Sequence, residues 1–207
     1  MSLNTPARAA PRIGMFGGSF DPPHRTHVAL ARVALLQGGL QALHVCPTGH
    51  PWHKARQPSA AVHRVAMARL AFADVPGVVI DERETHRDGP TYTLDTLREL
   101  QREHDNARLV LLMGTDQAAA LPTWHGWQQV LELATVLVAT RAGLPPFDAQ
   151  TLPGLPDDAR FETLHLPPAD TSATDIRARA ARGEDISALV PPAVARYIDQ
   201  HQLYRPA

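Results

Sequence analysis

The chain has 207 residues, of which 44% are hydrophobic and 20% charged, and this composition predicts a globular protein with one sizeable core. Its 20 Lys and Arg residues nearly balance 21 Asp and Glu residues, and the formal net charge of −1 excludes the broad basic surface of a general nucleic-acid binder. Because it has a single cysteine, no long apolar stretch and no signal-peptide pattern, we expect a cytoplasmic protein without internal disulfides and without a membrane span.

Short apolar runs and stretches of helical periodicity alternate along the chain. The apolar runs predict buried strands at residues 12–18, 42–49, 77–84, 107–116 and 135–141. Apolar residues at helical spacing predict helices at residues 27–39, 60–74, 91–104 and 124–134. This alternation is typical of an α/β fold with a doubly wound parallel sheet, whose two faces are covered by helices. We expect residues 1–11 to form a disordered tail and residues 12–207 to form a single domain.

The most unusual residues follow the ends of predicted strands, where ligands bind in such sheets. Gly17 and Gly18 end the first strand, Lys54 follows the second, and Asp116 ends the fourth. The first strand lacks the G-x-G-x-x-G dinucleotide fingerprint, and the chain has no G-x-x-x-x-G-K-[ST] phosphate loop. These sequence features disfavour a hydride-transferring dinucleotide enzyme and a P-loop kinase.

The string GGSFDPPHRTH, residues 17–27, combines glycines with two histidines three residues apart. A helix that begins near Pro23 would hold His24 and His27 in its first turn, on the same side. The free N–H groups and partial positive charge of a helix N-terminus attract phosphate, and glycines let the backbone approach that anion closely. Two other interpretations stay open: chance surface histidines, or a metal site, which is disfavoured because the sequence offers no cluster of further ligands.

The whole string resembles the G-G-[ST]-F-D-P-x-H-x-G-H element of nucleotidylyltransferases, which move AMP from ATP to an acceptor. Further segments resemble the motifs of one family in this group, the bacterial nicotinate-nucleotide adenylyltransferases, and follow in the family's order. They are PWHK (51–54), GPTYTLDTL (89–97), MGTD (113–116), the paired-tryptophan segment (121–141) and TSATDIR (171–177) with the closing helices. The similarity runs from about Arg12 to Tyr204, and the ordered set is far more specific than any single motif.

The resemblance implies a reaction in which AMP passes from ATP to nicotinate mononucleotide. The products are nicotinate adenine dinucleotide and pyrophosphate, and the reaction is a step of NAD biosynthesis. It proceeds by in-line attack without a covalent intermediate, with Mg²⁺ accompanying ATP and no dedicated metal site on the protein. The attacking phosphate monoester has a second pKa of about 6, so it is already ionised near pH 7 and needs no general base. The protein's task is to align the reactants and to neutralise charge on the triphosphate.

The resemblance also assigns roles to individual residues. It places His24 and His27 at the attacked phosphate, and Lys54 and Arg177 at the leaving pyrophosphate. It assigns ATP binding to Gly17, Gly18, Ser19, Phe20, Ser172 and Thr174. It assigns binding of the nicotinate nucleotide to Tyr92, Thr93, Leu94, Asp116, Trp124 and His125, with Trp124 stacking on the nicotinate ring.

For several residues a structural role competes with a role in binding. We expect Asp21 to fix the turn before the histidines rather than to touch substrate. We expect Trp127 to lie in the core and Cys46 to be a buried small hydrophobic residue. Asp116 could instead cap a helix, and Arg177 could be an ordinary solvated arginine, although its place in TSATDIR favours an anion site.

Three positions depart from the family's motifs. Thr26 replaces the glycine of H-x-G-H, Trp52 replaces a proline in the loop before Lys54, and Ala173 replaces a serine of the C-terminal element. None of the three removes a charged group, so we expect substrate affinity to change more than activity.

Two other classes of function stay open. A related transferase would use nicotinamide mononucleotide or phosphopantetheine as the acceptor, although the phosphopantetheine enzymes lack the paired tryptophans. A non-catalytic nucleotide-binding protein could keep the fold without turnover, which the intact charged residues of the motifs argue against. Pyrophosphate release, measured with each acceptor separately, discriminates among these functions.

Overall fold

The computed structural model describes residues 9–49, 57–141, 143, 145–166 and 171–205. Within these residues six strands form one sheet: β1 (Arg12–Gly18), β2 (Ala42–Pro47), β3 (Val78–Ile80), β4 (Arg108–Gly114), β5 (Ala134–Arg141) and β6 (Phe161–Leu166). The strands are all parallel and lie in the order β3-β2-β1-β4-β5-β6. This order, in which the sheet grows outward in both directions from β1, is the doubly wound topology that the sequence predicts.

Seven α-helices connect and cover the strands in the described part of the chain. They are α1 (Arg25–Gln37), α2 (Ala61–Phe72), α3 (Thr93–Glu103), α4 (Thr115–Ala119), α5 (Trp127–Leu133), α6 (Ala173–Ala181) and α7 (Pro192–Gln200). Short 3₁₀-helical turns add Arg83–His86, Leu121–Thr123 and Ala149–Thr151. Among the residues described, no helix has the length and apolar character that crossing a membrane requires.

The sheet separates two hydrophobic cores because neighbouring residues of a strand point to opposite faces. On one face, α1, α2, α6 and α7 pack against side chains such as Val45, Val110 and Leu137. On the other face, α3, α4 and α5 pack against side chains such as Met15 and Leu111. Because both faces are covered, the central strands are buried on either side and read as continuous apolar runs.

The five predicted strands are confirmed, although β3 is limited to three residues. The structure adds β6 and α4, which are not predicted from the sequence. Strand β6 lies at the sheet edge, where only Leu164 and Leu166 are buried, so it lacks the continuous apolar run of a central strand. Helix α4 has five residues, too few for helical periodicity to be visible.

The sheet topology fixes where a ligand can bind. Strand β1 pairs with β2 on one side and with β4 on the other, so a crevice opens beyond the carboxyl ends of β1 and β4. The histidine motif follows β1 at this edge, and Gly114 ends β4 at the same edge. The candidate site is therefore at the switch point between the two halves of the sheet.

The only cysteine of the chain lies in β2 and is fully buried. Burial raises the pKa of the Cys46 thiol well above its ordinary value, and the nearby carboxylates of Glu84 and Asp81 raise it further. The expectation of a buried small hydrophobic residue is confirmed.

Candidate active site

The segment that leaves β1 forms a tight turn in front of α1. A Cβ at Gly18 would lie 3.2 Å from the nearest ring atoms of Phe20. Phe20 has a left-handed backbone, with φ of 47°, and its side chain is 2% exposed. Its ring packs edge-to-face against Phe16 and Phe72, at centroid distances of 5.3 and 6.1 Å. Phe20 is therefore a core residue, and its ring is not available to a nucleotide.

The two histidines of the motif stack on each other, with ring centroids 3.7 Å apart and an angle of 27° between the planes. His24 is the N-cap residue of α1, which begins at Arg25 rather than at Pro23. The backbone N–H of His24 donates to Nδ1 of His27 at 3.2 Å, so a neutral His27 ring carries its proton on Nε2. The prediction that the two rings face the same way at the helix start is confirmed.

Burial keeps His24 neutral near pH 7. His24 is 6% exposed, and desolvation lowers the pKa of its ring to about 4. The first turn of α1 contains no acidic residue, so no carboxylate of that turn repels an anion. The helix start and the two imidazole rings together form a place for a phosphate, to which ring N–H groups can donate.

Asp21 is the polar centre of the turn and is 2% exposed. Its Oδ2 accepts a hydrogen bond from the backbone N–H of Ser59 at 3.1 Å, and its Oδ1 accepts one from the hydroxyl of Tyr204 at 2.7 Å. Its backbone carbonyl accepts a hydrogen bond from the Arg177 guanidinium at 2.8 Å. Three distant segments of the chain converge on Asp21, which agrees with the expectation that this residue fixes the turn.

A buried arginine of α2 supports the same turn. Arg64 is 1% exposed, and its guanidinium donates to the backbone carbonyls of Ser59, Ser19 and Gly49 at 2.8, 3.0 and 3.5 Å. Burial lowers the pKa of Arg64, whereas the Asp21 carboxylate raises it. Arg64 is not predicted from the sequence as part of the site. One sequence feature could have pointed to it: this arginine lies among the apolar residues of a predicted helix, and an arginine that is buried there requires hydrogen-bond partners.

Arg177 connects the C-terminal element to the turn. Besides its bond to the Asp21 carbonyl, its guanidinium donates to Oγ1 of Thr174 at 3.1 Å. The hydroxyl of Ser172 caps α6 by accepting from the backbone N–H of Asp175 at 3.1 Å. Ser172 and Thr174 are exposed, so the start of α6 lies beside the histidine turn with polar groups at the surface, as the sequence predicts.

The residues predicted to bind the nicotinate nucleotide meet at the start of α3. Tyr92 is the N-cap residue of α3, and its ring centroid lies 4.3 Å from that of His125. Gly126 has a positive φ of 62°, and a Cβ at this position would lie 2.5 Å from Cδ2 of Leu94. This close approach holds the segment before α5 against the first turn of α3. Leu94 is 1% exposed, so its side chain belongs to the core and is not available to a ligand.

The other residues predicted on this side reach the surface. Thr93 and Trp124 are half-buried, and Asp116 is exposed in the first turn of α4, directly after β4. Trp127 packs against the core as expected, but Trp124 packs against the same core and the two are half-buried alike. Burial therefore does not distinguish the two tryptophans, and only their places in the chain do.

Charged side chains form a network behind α3. Nδ1 of His44 lies 2.9 Å from Oδ2 of Asp81, and Arg83 donates to both carboxylate oxygens of Asp81 and to Glu103. Burial opposes ionisation of Asp81, but the hydrogen bonds from His44 and Arg83 outweigh it and lower the pKa of this carboxyl. The network fixes the segment that leads from β3 to α3.

Glu84 is a second buried carboxyl behind the site and is 4% exposed. The Thr96 hydroxyl donates to Oε1 of Glu84 at 2.8 Å, and Arg87 donates to the same hydroxyl at 2.9 Å. Burial raises the pKa of Glu84 to about 7, although Thr96 and Arg87 oppose this shift. Gly49 leaves no room for a Cβ against the Glu84 carbonyl, so the loop after β2 crosses directly over this segment. No local pattern in the sequence identifies either buried carboxyl.

The predicted loop residues Pro51, Trp52, His53 and Lys54 lie outside the described residues. Among the residues that are described, no group of three or more His, Cys, Asp or Glu side chains could hold a metal ion. The role of Lys54 stays a prediction.

Known proteins match the chain over nearly its whole length. A family model described as cytidylyltransferase-like matches residues 15–179. A protein of Albidiferax ferrireducens named probable nicotinate-nucleotide adenylyltransferase is 50% identical over 200 residues, which are 95% of this chain and 99% of that protein. The chain belongs to the nicotinate-nucleotide adenylyltransferase family. A relative with the same name from Methylibium petroleiphilum is 43% identical over 199 residues, 94% of this chain and 93% of that protein.

Solved structures of adenylyltransferases share the fold. The nicotinic acid mononucleotide adenylyltransferase of Plasmodium falciparum, complexed with NaAD, has a TM-score of 0.76 at 19% identity, over 94% of this chain and 97% of that one. The same enzyme complexed with APC has a TM-score of 0.75 at 20% identity. This likeness concerns the fold, and the membership of the family follows from the relatives in sequence.

Proposed function

We propose that the chain is an enzyme that transfers AMP from ATP to nicotinate mononucleotide, giving nicotinate adenine dinucleotide and pyrophosphate in NAD biosynthesis. The observation that carries this proposal is the stacked pair of His24 and His27 at the start of α1, in a chain whose relatives are named for this reaction. Imidazole N–H groups and a helix N-terminus together suit a phosphate. The start of α3, near the same edge of the sheet, suits the carboxylate of the acceptor.

In the proposed reaction, a phosphate oxygen of nicotinate mononucleotide attacks the α-phosphorus of ATP. The new P–O bond forms while the bond from the α-phosphorus to the bridging oxygen breaks, and pyrophosphate leaves with that electron pair. Because the attacking phosphate is already ionised near pH 7, no side chain has to remove a proton. The protein accelerates the reaction by alignment and by stabilising the charge that accumulates on the phosphates.

We assign this charge stabilisation to His24 and His27. Their rings are fixed by stacking, and the bond from the His24 backbone to Nδ1 of His27 directs the proton of His27 to Nε2. Donors that are already oriented need no rearrangement when charge develops, which makes them effective in the transition state. We assign the leaving pyrophosphate to Arg177, which its bond to the Asp21 carbonyl keeps beside the turn, and to Lys54.

ATP is proposed to lie along the turn between β1 and α1. The backbone of Gly17, Gly18, Ser19 and Phe20 would contact it from one side, and the exposed hydroxyls of Ser172 and Thr174 would contact it from the start of α6. Mg²⁺ is proposed to arrive with the triphosphate, because this ion binds substrate phosphates and retains several waters in most nucleotide sites. We further propose that residues 12–207 form one domain and that the protein works in the cytoplasm.

The acceptor is proposed to occupy the pocket between α3 and the segment before α5. Its nicotinate ring would stack on Trp124, next to the contact between Tyr92 and His125. Its carboxylate would accept from the backbone N–H groups of Thr93, Leu94 and His125, because the first N–H groups of a helix have no partner within the helix. Asp116, exposed after β4, would accept from the ribose hydroxyls.

Pyrophosphate release from ATP tests the function directly. Nicotinate mononucleotide, nicotinamide mononucleotide and phosphopantetheine are offered separately, and we expect the highest kcat/KM with the first. Equal kcat/KM for the two mononucleotides would contradict the nicotinate assignment and leave the adenylyltransferase assignment intact. Release with none of the three, in a protein that still binds ATP, would indicate a non-catalytic nucleotide-binding protein.

A further inference from the structure

The last turn of the chain places a tyrosine close to the proposed ATP site. Helix α7 ends at Gln200, and the residues after it turn back toward the histidine motif. Gln202 and Tyr204 have positive φ values of 49° and 68°, which residues other than glycine rarely adopt. The backbone N–H of Leu203 donates to the carbonyl of Ile198 at 3.0 Å. Two such residues in one short turn indicate that its surroundings determine its conformation.

The hydroxyl of Tyr204 donates to Oδ1 of Asp21 at 2.7 Å, across 183 positions of the chain. Burial raises the pKa of this hydroxyl and the Asp21 carboxylate raises it further, so the group stays protonated and remains a donor. The bond thus joins the turn after α7 to Asp21, which lies three positions before His24.

We propose that Tyr204 is a positioning residue for ATP: through the Asp21 carboxylate, it holds the histidine turn and Arg177 in the arrangement that binds the triphosphate. This proposal rests on the proposed function. Tyr204 does not touch the reacting atoms. It acts through a carboxylate that is 2% exposed and whose other oxygen accepts from the Ser59 backbone.

Loss of the hydroxyl would change what Asp21 binds. A buried carboxylate that loses a donor is costly and recruits another cationic or N–H donor. Among the described residues, Arg64 lies near this carboxylate but donates to backbone carbonyls, and Arg177 is a cationic donor already attached to Asp21 through the backbone carbonyl. A carboxylate released by Tyr204 would compete with the pyrophosphate of ATP for this guanidinium, and it would loosen the turn that carries His24 and His27.

The effect should be confined to ATP. The pocket proposed for the acceptor is built on α3 and α5, which pack on the opposite face of the sheet from α6 and α7. A general loss of folding would raise the KM of both substrates alike, whereas a positioning role raises the Kd and the KM for ATP and leaves the KM for the acceptor unchanged.

Tyr197 offers a matched control for the experiment. Like Tyr204 it is half-buried, belongs to the C-terminal part of the chain and uses its hydroxyl in side-chain hydrogen bonding, here with Nδ1 of His63 at 3.0 Å. The Tyr204 hydroxyl bonds to the Ser59 side chain as well as to Asp21. We compare Tyr204→Phe with Tyr197→Phe, measuring the Kd for ATP by calorimetry, the kcat/KM for each substrate and the melting temperature. For Tyr204→Phe we expect Kd for ATP and kcat/KM for ATP to worsen about tenfold, with KM for nicotinate mononucleotide unchanged. For Tyr197→Phe we expect changes below about twofold in both.

A double-mutant cycle with Asp21→Asn tests whether Tyr204 affects ATP binding through the Asp21 carboxylate. We expect Tyr204→Phe to change the Kd for ATP by less than about twofold once Asp21 has lost its charge. Full additivity of the two substitutions, equal increases in KM for both substrates, equal effects of the two tyrosines, or a Tyr204→Phe protein that does not fold would each overturn the proposal. An unmodified protein that binds ATP but transfers nothing would remove the proposed function, and the calorimetric comparison would still decide the role of Tyr204.

Discussion

The two halves of the candidate site are built by different means. On one face of the sheet, the histidine turn is held by hydrogen bonds that converge on Asp21 and come from residues far apart in the chain. A buried arginine, Arg64, links the same turn to the loop after β2. On the other face, the residues at the start of α3, where we propose the acceptor pocket, are held by packing, with Gly126 against Leu94 and the ring of Tyr92 against that of His125.

This difference separates the two tasks of a transferase. Groups that must meet developing charge work best when they are already oriented, and convergent hydrogen bonds to a buried carboxylate provide that orientation. A pocket that selects a flat ring with a carboxylate needs an apolar surface and a few N–H groups. We therefore expect substitutions in the histidine turn to lower kcat, and substitutions in the pocket to change KM and selectivity.

The largest effect is expected at His27. His27→Ala removes an oriented donor, and we expect kcat to fall about 10²–10³-fold while KM for nicotinate mononucleotide stays nearly constant. Steady-state pyrophosphate release measures both constants. His165→Ala, at an exposed position of β6, is the matched control and should leave kcat unchanged. Near-normal turnover by a folded His27→Ala protein would remove this histidine from the mechanism.

Each half of the site also contains a buried group whose pKa is shifted within the range of about pH 4 to 7, His24 in one half and Glu84 in the other, and the two shifts affect stability in opposite directions. Folding lowers the pKa of His24 from 6.5 to about 4, so the stability it contributes is complete above pH 6.5 and is lost as the pH falls toward 4. Folding raises the pKa of Glu84 from 4.5 to about 7, so its contribution is complete below pH 4.5 and is lost as the pH rises toward 7.

Between pH 4.5 and 6.5 the two contributions cancel in the unmodified protein, and substitution of either group should reveal the other. For Glu84→Gln we expect the free energy of unfolding to drop by about 2–3 kcal/mol on acidification across this range. For His24→Asn we expect it to rise by a similar amount. Urea unfolding at several pH values measures these slopes, and Glu132→Gln, at an exposed glutamate of α5, should keep the unmodified profile. A Glu84→Gln protein with an unmodified profile would contradict the shift.

The next effect concerns the selectivity of the pocket. Thr93 opens α3, where backbone N–H groups lack helical partners. We expect the Thr93 hydroxyl to donate to the carboxylate beside these N–H groups. Thr93→Val removes the hydroxyl and keeps the backbone N–H, so it should reduce the preference for nicotinate over nicotinamide mononucleotide about tenfold, because a hydrogen bond to a charged group contributes about 1.5–3 kcal/mol. The ratio of kcat/KM for the two acceptors measures this preference. Thr163→Val on β6 is the control, and a preference that survives Thr93→Val unchanged would leave the discrimination to backbone groups alone.

The smallest effect distinguishes the two tryptophans. Trp124→Ala removes the proposed stacking surface, and we expect KM for both mononucleotides to rise about threefold to tenfold, because aromatic contacts contribute about 0.5–1.5 kcal/mol. Trp127→Ala should lower the melting temperature and leave both KM values nearly unchanged. If the two substitutions raised KM equally, the stacking role could not be assigned to Trp124.

The sequence predicts the central part of the fold because that part is buried on both faces. Strands such as β1 read as apolar runs, and the spacing of His24 and His27 alone places both at one helix start. Strand β6 escapes prediction because its exposed positions interrupt the apolar run. The hydrogen bond between Asp21 and Tyr204 escapes it for another reason: it joins residues 183 positions apart, and no local pattern encodes such a contact.

Arg64 and Glu84 escape prediction because a charged residue in an amphipathic segment is ordinarily placed at the surface. Only the tertiary structure shows that the Arg64 guanidinium meets three backbone carbonyls, and that Glu84 meets Thr96 inside the protein. The roles of the residues at the start of α3 are implied by the resemblance to the family. The structure adds that Tyr92 lies against His125 and that Leu94 lies against the neighbouring Gly126.

The buried cysteine of β2 makes this protein convenient for optical work. Since Cys46 is the only thiol of the chain, is 0% exposed and has a raised pKa, maleimide dyes have no reactive target on the folded surface. A cysteine introduced at an exposed position, such as that of Leu36 at the end of α1, would be the single labelling point. With a second introduced cysteine on the α3 side, the distance between two dyes could be followed during turnover without first replacing a native thiol.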